Sequence, residues 1–396
     1  MAAKEKKSKN VPNLRFPGFE EDWVEKKFGE VATNKSEKYN PASVRSSIKC
    51  IELEHLAGEN GQLLGYIDGS KAGSIKNVFK KGDVLFGKLR PYLRKHLLAP
   101  FDGVCSSEIW VLKGSTIVND FLYQIIQTKK FIELANQSSG SKMPRADWSV
   151  VETGTFSYPT LREQEKISKF LSVLDERIVT QNKIIERLQT LMQSLGEQIF
   201  KQKKRFKDDN GNDFPDWENK FGYEVFESIS DKNHNSDLPI LAITQEHGAI
   251  PRDLIDYNIT VAEKSVENYK VVQIGDFIIS LRSFQGGIEY SKYKGICSPA
   301  YIILRAAIPI NKTYFKYYFK TDKYINELNR KLEGIRDGKM ISYGYFSEIP
   351  LSFPAVDEQT RIANFLSSIT EKIEVEKEIL QQYQNQKKYL VKNMLV

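Results

Sequence analysis

The stretch PTLREQEKISKFLSVLDERIVTQNKIIERLQTLMQSLGEQIF, residues 159–200, carries apolar residues in steps that alternate between four and three. The positions of this series are Ile167, Leu171, Leu174, Ile178, Gln181, Ile185, Leu188, Met192, Leu195 and Ile199. Nine of these ten residues are apolar, which is typical of one helix of a coiled coil. Pro159 precedes the series, where a proline permits a helix to start. A helix from Glu163 to Ile199 would be about 55 Å long.

A second series with the same spacing lies 195 residues further on, in Ile362, Leu366, Ile369, Ile373, Glu376, Leu380, Tyr383, Lys387, Leu390 and Met394. We call each series of positions a seam. The second seam is weaker because two of its residues, Glu376 and Lys387, are charged. If the two helices pack antiparallel about a pseudo-two-fold axis, Glu376 would meet Gln181 near the middle, and the pair would fix the register. The alternative is that both polar residues simply face water.

The two helices end the two copies of a duplicated unit. Short anchors recur in the same order, with offsets of 192 to 195 residues: Asp22-Trp23 as Asp216-Trp217, Lys27-Phe28-Gly29 as Lys220-Phe221-Gly222, Gly82-Asp83 as Gly275-Asp276, Gly103-Val104-Cys105-Ser106 as Gly295-Ile296-Cys297-Ser298, and the Glu163-Gln164 pair as Glu358-Gln359. Between the anchors the halves diverge, with short β-branched and aromatic runs separated by turn residues. The pattern predicts an α+β protein in which two pseudo-symmetric mixed α/β globular domains are separated by two long helices that form an antiparallel coiled coil. Two equivalent halves suit a partner with two-fold character.

Composition and absent motifs restrict the function. The 396 residues carry a formal net charge of +7, which permits a polyanionic partner. No run approaches the roughly 20 apolar residues that span a bilayer, and MAAKEKKSKN is too polar for a secretory signal, so we expect a cytoplasmic protein without a membrane partner. The three cysteines and four histidines lack metal-ligand spacing, and Cys105 and Cys297 are expected in the core.

Motifs for catalysis are also missing. Residues 334–340 resemble a phosphate-binding loop but are one residue short and lack its Ser or Thr. The carboxylates around Pro215-Asp216 lie in one short segment, whereas a metal nuclease brings them together from separate strands. Neither a methyltransferase motif nor a Gly-rich cofactor loop occurs. We therefore predict no catalytic residues and no metal site.

The duplicated Pro-x-x-x-Glu-Gln element (Pro159 to Gln164; Pro354 to Gln359) resembles the conserved regions of the specificity subunits of type I restriction–modification enzymes. The Phe16-Pro17-Gly18-Phe19 opening and the Gly82-Asp83-Val84-Leu85-Phe86 run resemble them too, and the likeness extends from about Asn13 to Val396. It implies two target recognition domains, each reading one half of a split double-stranded DNA sequence. The helices would set the gap and dock two methyltransferase subunits, which two restriction subunits join. S-adenosylmethionine, ATP and Mg²⁺ would be used by those partners, with no cofactor bound by this chain.

On this interpretation the chain consists of a flexible basic tail (1–13), a first target recognition domain (14–160), a central spacer helix (161–203), a second recognition domain (204–355) and a C-terminal spacer helix (356–396). A basic run at Lys201, Lys203, Lys204, Arg205 and Lys207 is interpreted as a solvated linker, with phosphate contact as the second choice.

Two loops in each half carry side chains suited to base edges and phosphates. The candidates are Lys88, Arg90, Arg94 and Lys95 with Ser141, Lys142 and Arg145 in the first half, and Arg282, Ser283 and Gln285 with Arg336, Lys339 and Tyr343 in the second. For any single basic residue, an ordinary solvated charge is the alternative.

Two other function classes remain open. A coiled-coil scaffold would show no salt-dependent DNA binding, and a self-contained nuclease would cut DNA by itself in the presence of a metal. The bases recognised and the gap length depend on side-chain placement in divergent loops, so the sequence does not specify them.

Overall fold

The computed structural model describes residues 11–42, 47–137, 143–235, 237–255, 266–330 and 341–395. The chain divides into two compact units, residues 1–185 with 375–396, and residues 186–374. Each unit contains one mixed α/β domain and part of both long helices. Four of the candidate DNA-reading residues, Ser141, Lys142, Arg336 and Lys339, lie outside the described residues.

The first unit is built on two short sheets. Its strands are β1 (Val24–Lys27), β2 (Ala32–Thr33), β3 (Lys38–Tyr39), β4 (Lys49–Ile51), β5 (Ile67–Asp68), β6 (Lys76–Phe79), β7 (Val84–Gly87), β8 (His96–Leu98), β9 (Gly103–Cys105), β10 (Ile109–Gly114) and β11 (Thr155–Tyr158). One sheet has the order β2-β10-β7-β8, the other has the order β3-β6-β9-β4-β5, and β1 pairs with β11. The helices are α1 (Phe28–Val31), α2 (Asn119–Ile125), α3 (Lys129–Ala135), α4 (Trp148–Val151) and the long α5 (Leu161–Phe200).

The apolar run in β7 shows why these strands form. Val84 and Phe86 face a core formed with α2 and α3, whereas Leu85 faces a second core on the other side. Since successive side chains of a strand point to opposite faces, a strand that is covered on both sides needs a continuous apolar run.

The second unit repeats this plan. Its strands are β12 (Glu218–Phe221), β13 (Phe226–Ile229), β14 (Leu241–Thr244), β15 (Gly248–Pro251), β16 (Lys270–Val272), β17 (Phe277–Ile279), β18 (Glu289–Tyr290), β19 (Gly295–Cys297), β20 (Ile302–Ala306) and β21 (Pro350–Phe353). Its helices are α6 (Gly222–Val225), α7 (Ser283–Gly286), α8 (Lys312–Tyr318), α9 (Asp322–Asn329), α10 (Tyr343–Ser347) and the long α11 (Val356–Met394). The sheet order β13-β20-β17-β18 and the pair β12-β21 match β2-β10-β7-β8 and β1-β11. The predicted duplication is therefore present in the fold.

One anchor of the repeat is shifted by a residue. In α1 the Glu30 carboxylate accepts the amide of Lys27, and in α6 the Glu224 carboxylate accepts the amide of Phe221, so Phe221 is equivalent to Lys27 rather than to Phe28. Phe28 is fully buried, whereas Phe221 is 46% exposed. A side chain at Gly222, the true equivalent of Phe28, would collide with Phe346.

The predicted seam is the buried face of the long helices. Within the first unit Ile167, Leu171, Leu174, Ile178 and Ile185 of α5 are buried, and Leu380 of α11 is partly buried. Within the second unit Ile362, Leu366 and Ile373 of α11 are buried, whereas Ile369, Leu188 and Leu195 are partly buried.

The polar seam residues confirm the antiparallel register. In the first unit Gln181 donates from Nε2 to the main-chain oxygen of Glu376 at 3.0 Å and to its carboxylate, as the pseudo-two-fold arrangement predicted. About three turns further along α11, Lys387 pairs with Asp175 and also donates to Gln127 of the first domain. The charge of Lys387 is therefore compensated by a partner at its seam position.

Candidate DNA interface

The β7–β8 loop of the first domain has an unusual backbone. Pro91–Leu93 forms a 3-10 turn, and the arginines on either side of it are in the left-handed region, with φ 53° at Arg90 and φ 49° at Arg94. This conformation costs an L-residue roughly 1–2 kcal/mol. Two such residues around one turn therefore indicate a loop whose shape is imposed by its surroundings.

The structure joins the two loops that the sequence suggested separately in the first half. The amide of Arg90 donates to the Pro144 oxygen at 2.8 Å, and the amide of Ala146 donates to the Lys88 oxygen at 2.8 Å. Leu89 and Arg145 form an isolated β-bridge. We call this combination of residues 88–95 and 143–146 the first reading loop.

The cationic side chains of the first reading loop differ in their solvent exposure and in whether they have a partner within the protein. Arg90 is exposed, and Lys88 and Arg94 are partly exposed; within the described part of the chain, these three side chains form no ion pair. Lys95 donates its ammonium to the main-chain oxygen of Leu53 at 2.6 Å, which commits it to the fold. Arg145 lies between these cases, since its half-exposed guanidinium pairs with Glu108 at 3.0 Å.

The corresponding loop of the second domain presents a different set of groups. Arg282 and Gln285 are exposed at α7. Ser283 is 1% exposed, and its hydroxyl accepts the amide of Ser280 at 2.9 Å, so it stabilises the turn from inside. Tyr343 also has a structural contact, because its hydroxyl donates to the Phe226 oxygen at 2.9 Å.

One neighbouring residue was missed by the sequence analysis. Gln245 lies in the turn between β14 and β15, and its side-chain amide points to the Arg282 oxygen at 3.5 Å. It is exposed, as are Glu246 and His247 beside it. Gly248, which has a φ of 71°, could have indicated a tight turn just after Gln245 in the sequence.

The Glu-Gln motifs that open the long helices are structural. Glu163 is fully buried and accepts two hydrogen bonds of 2.8 Å from the Arg15 guanidinium, and this hydrogen bonding raises the pKa of Arg15. Gln164 accepts the amide of Val118 and donates to the Pro159 oxygen. Each motif therefore ties its helix to the adjoining domain.

The second motif repeats these contacts with other partners. Glu358 is fully buried and accepts from Arg205 and from the Trp217 indole at 2.9 Å, while Gln359 accepts the amide of Asn311. Interpreting Arg205 as a solvated linker residue was therefore wrong, because Glu358 binds its guanidinium.

Other candidate sites for chemistry are not formed by the described residues. Cys105 and Cys297 are buried as predicted, and burial raises the pKa of the Cys297 thiol to about 12. Among the described residues no group of three or more His, Cys, Asp or Glu side chains is placed to hold a metal ion. No helix in the described ranges has the length and apolar character needed to cross a membrane.

Comparison with known proteins identifies the family. The model of the type I restriction modification DNA specificity domain matches twice, at residues 20–190 and 215–385. The chain belongs to this family. The two matches correspond to the two halves of the duplication, and membership confirms the interpretation of the chain as a non-catalytic specificity component.

The chain is also similar, at low sequence identity, to curated specificity subunits of type I restriction enzymes. The MjaVIII specificity subunit of Methanocaldococcus jannaschii is 27% identical over 371 residues, covering 88% of this chain and 81% of the relative. The EcoDI specificity subunit of Escherichia coli is 26% identical over 203 residues, covering 49% of this chain and 45% of the relative.

Solved structures confirm the fold class. The S subunit of a type I restriction-modification system from M. genitalium superposes with a TM-score of 0.58 at 16% identity, covering 98% of this chain and 99% of that one. A chain from a study of assembly and conformational transition in the type I R-M system gives a TM-score of 0.53 at 20% identity, covering 96% and 97%. Because the sequence identities are 20% or less, these superpositions show a shared fold and nothing further.

Proposed function

We propose that this chain selects the DNA sequence for a type I restriction–modification complex. Each globular domain reads one half of a bipartite double-stranded target, and the paired helices keep the half-sites a fixed distance apart. The observation that carries the proposal is the first reading loop, where exposed Arg90 and partly exposed Arg94 flank a turn of imposed shape.

The chemistry of these side chains suits DNA. A guanidinium can donate two parallel hydrogen bonds to the O6 and N7 atoms of guanine, and each such pair contributes about 1–3 kcal/mol of discrimination. Cations at the rim of the loop can instead bind phosphates, which positions the protein without reading sequence. The second domain offers Arg282, Gln285 and Gln245, a more neutral set that suits other base edges.

The partners follow from the same proposal. Two methyltransferase subunits would dock on the helices, and two restriction subunits would join them. S-adenosylmethionine, ATP and Mg²⁺ would be used by those subunits. Exposed apolar side chains on the first unit's helix segments, among them Phe170, Val173 and Tyr389, are groups that a protein partner can cover.

The test is to co-express the chain with its cognate methyltransferase subunit and to map adenine methylation across a genome. We expect one split motif with two short specific halves around an unspecified gap of constant length. A stable complex that methylates no defined motif would refute the proposal and favour the scaffold alternative.

A matched pair of variants tests the loop itself. Arg90→Ala should lower methylation of the target and relax base choice in one half-site. Lys80→Ala is the control, because Lys80 is exposed just before β7, whereas the reading loop follows β7. Equal effects of both variants would mean that net charge, and not the loop, is responsible.

A further inference from the structure

The strained turn of the first reading loop is held at the main-chain oxygen of Arg94. The backbone amide of Glu59 donates to this oxygen at 3.1 Å, and Nδ1 of His96 lies 3.1 Å from it. Glu59 is itself left-handed, with φ 66°. A side chain on the preceding Gly58 would come within 2.9 Å of the Leu93 oxygen, so the two segments pack too closely to accept one.

The environment of His96 determines which nitrogen carries its proton. The ring is 3% exposed and stacks on Tyr123, with centroids 5.4 Å apart and planes 18° from parallel. Burial lowers the pKa of His96 to about 3, so the ring is neutral. Because a carbonyl oxygen only accepts, the single proton must be on Nδ1, and Nε2 has no partner among the described residues.

The second domain builds the corresponding turn differently, as the short helix α7. β18 pairs with β17 in the register of β8 and β7, which places Ile288 at the position of His96. The residue before Ile288 is Gly287, with φ 79°. Glycine adopts positive φ without the steric cost of a Cβ. In this register Gly287 corresponds to Lys95 and Gly286 corresponds to Arg94, so the residue with positive φ lies one position later in the second domain. The left-handed arginine, with two donors on its main-chain oxygen, is therefore a feature of the first domain.

We propose that His96 is a positioning residue for DNA reading by the first domain: its Nδ1–H holds the Arg94 oxygen and thereby directs the Arg90 and Arg94 side chains toward the DNA. This inference rests on the proposed function. His96 is buried and does not touch DNA; it acts through the loop backbone.

The experiment measures base discrimination in each half-site with four variants of the full chain, co-expressed with the methyltransferase subunit. His96→Leu and His96→Gln remove a donor at the Nδ1 position, whereas His96→Asn keeps one, because the asparagine amide lies about where Nδ1 does. Leu97→Ala weakens the same strand without touching the Arg94 oxygen. Methylation is quantified on targets with single base changes in either half.

We expect His96→Leu and His96→Gln to lose discrimination on the order of tenfold in one half-site, and to leave the other half unchanged. His96→Asn and Leu97→Ala should retain it. Retained discrimination in His96→Leu, a loss in both halves, or an equal loss in Leu97→Ala would overturn the inference. If His96→Leu does not assemble, the asparagine and glutamine variants decide, and equal discrimination in these two would overturn it. A wild-type complex that methylates no split target would refute the proposed function, and this inference with it.

Discussion

Replacing Lys387 with methionine is expected to destabilise the first unit by roughly 2–3 kcal/mol. The Lys387 side chain is 11% exposed, and its ammonium donates to Asp175 of α5 and to Gln127 beyond the end of α2. Methionine preserves the length and the apolar stem of lysine. It therefore removes the charge without opening a large cavity and leaves Asp175 without its cation.

The magnitude follows from the exposure of the aspartate that remains. Breaking a fully buried ion pair costs about 3–5 kcal/mol, because an uncompensated charge stays in the interior. The Asp175 side chain keeps 19% of its surface exposed and still accepts from Gln124 at 3.3 Å. Water and this hydrogen bond compensate part of the loss, so the expected cost lies below that range.

The pair can be separated from the individual residues by a double-mutant cycle. Asp175→Asn removes the carboxylate charge but keeps an oxygen for Gln124. Combined with Lys387→Met it leaves no buried charge, so the double variant should be within about 1 kcal/mol of wild type. The losses in free energy of unfolding of the two single variants should add up to clearly more than the loss of the double variant.

Hydrogen exchange of peptides from residues 375–395 gives the local free energy of opening. The 356–374 peptides of the same helix belong to the second unit and serve as an internal reference. Lys388→Met is the matched control, since Lys388 is exposed and a surface substitution should change stability by no more than about 0.5 kcal/mol. Equal exchange in Lys387→Met and Lys388→Met would refute the argument. So would a double variant whose cost equals the sum of the two singles.

Further predictions concern the domains, the helices and the buried histidine. Exchanging residues 14–160 for the first domain of another family member should change one half of the methylated motif, and a change in both halves would contradict modular reading. Ile178→Asp combined with Ile185→Asp would bury unpaired carboxylates in the seam and should blur the gap length in methylation maps; an unchanged gap would refute the ruler role. The pKa of His96 is about 3 when folded and roughly 6.5 when unfolded, so its stabilising contribution is complete above pH 6.5 and is lost as pH falls toward 3. Between about pH 5.5 and 4 the wild type should lose about 1.4 kcal/mol per pH unit relative to His96→Asn in urea unfolding, and parallel pH profiles would contradict the buried neutral ring.

The helical part of the fold was predictable because it depends on periodicity. Seam positions at heptad spacing face the partner whatever the surrounding sequence, so the contact of Gln181 with Glu376 could be predicted from the repeat on the condition that the helices pack antiparallel. The partner of Lys387 could not be predicted in this way, because Asp175 occupies a position outside the series in α5. To predict a buried ion pair one must know which side chain lies beside the charged residue, and a hydrophobic pattern does not contain that information.

The candidate interface was predictable only as two separate loops. Their joining through Arg90 and Pro144 depends on a main-chain hydrogen bond, to which side-chain identity contributes little. For the same reason Ser283 looked like a contact residue, although its hydroxyl faces its own turn. Left-handed φ at Arg94 is not signalled by the residue type, since arginine avoids that region unless tertiary contacts impose it.

The residues that identify the family and those that would choose its target are different sets. Glu163 and Glu358 are fully buried and bind arginines that secure the start of each long helix, so their replacement would damage the scaffold of this chain. Arg90 and Arg282 are exposed on loops, where a substitution leaves the core untouched. Selection for a new DNA sequence can therefore act on the loops while the helices and their anchors persist. If that is correct, members with the same Glu-Gln anchors should recognise unrelated half-sites, and grafting a reading loop should transfer less specificity than grafting a whole domain, because the left-handed turn depends on buried supports such as His96.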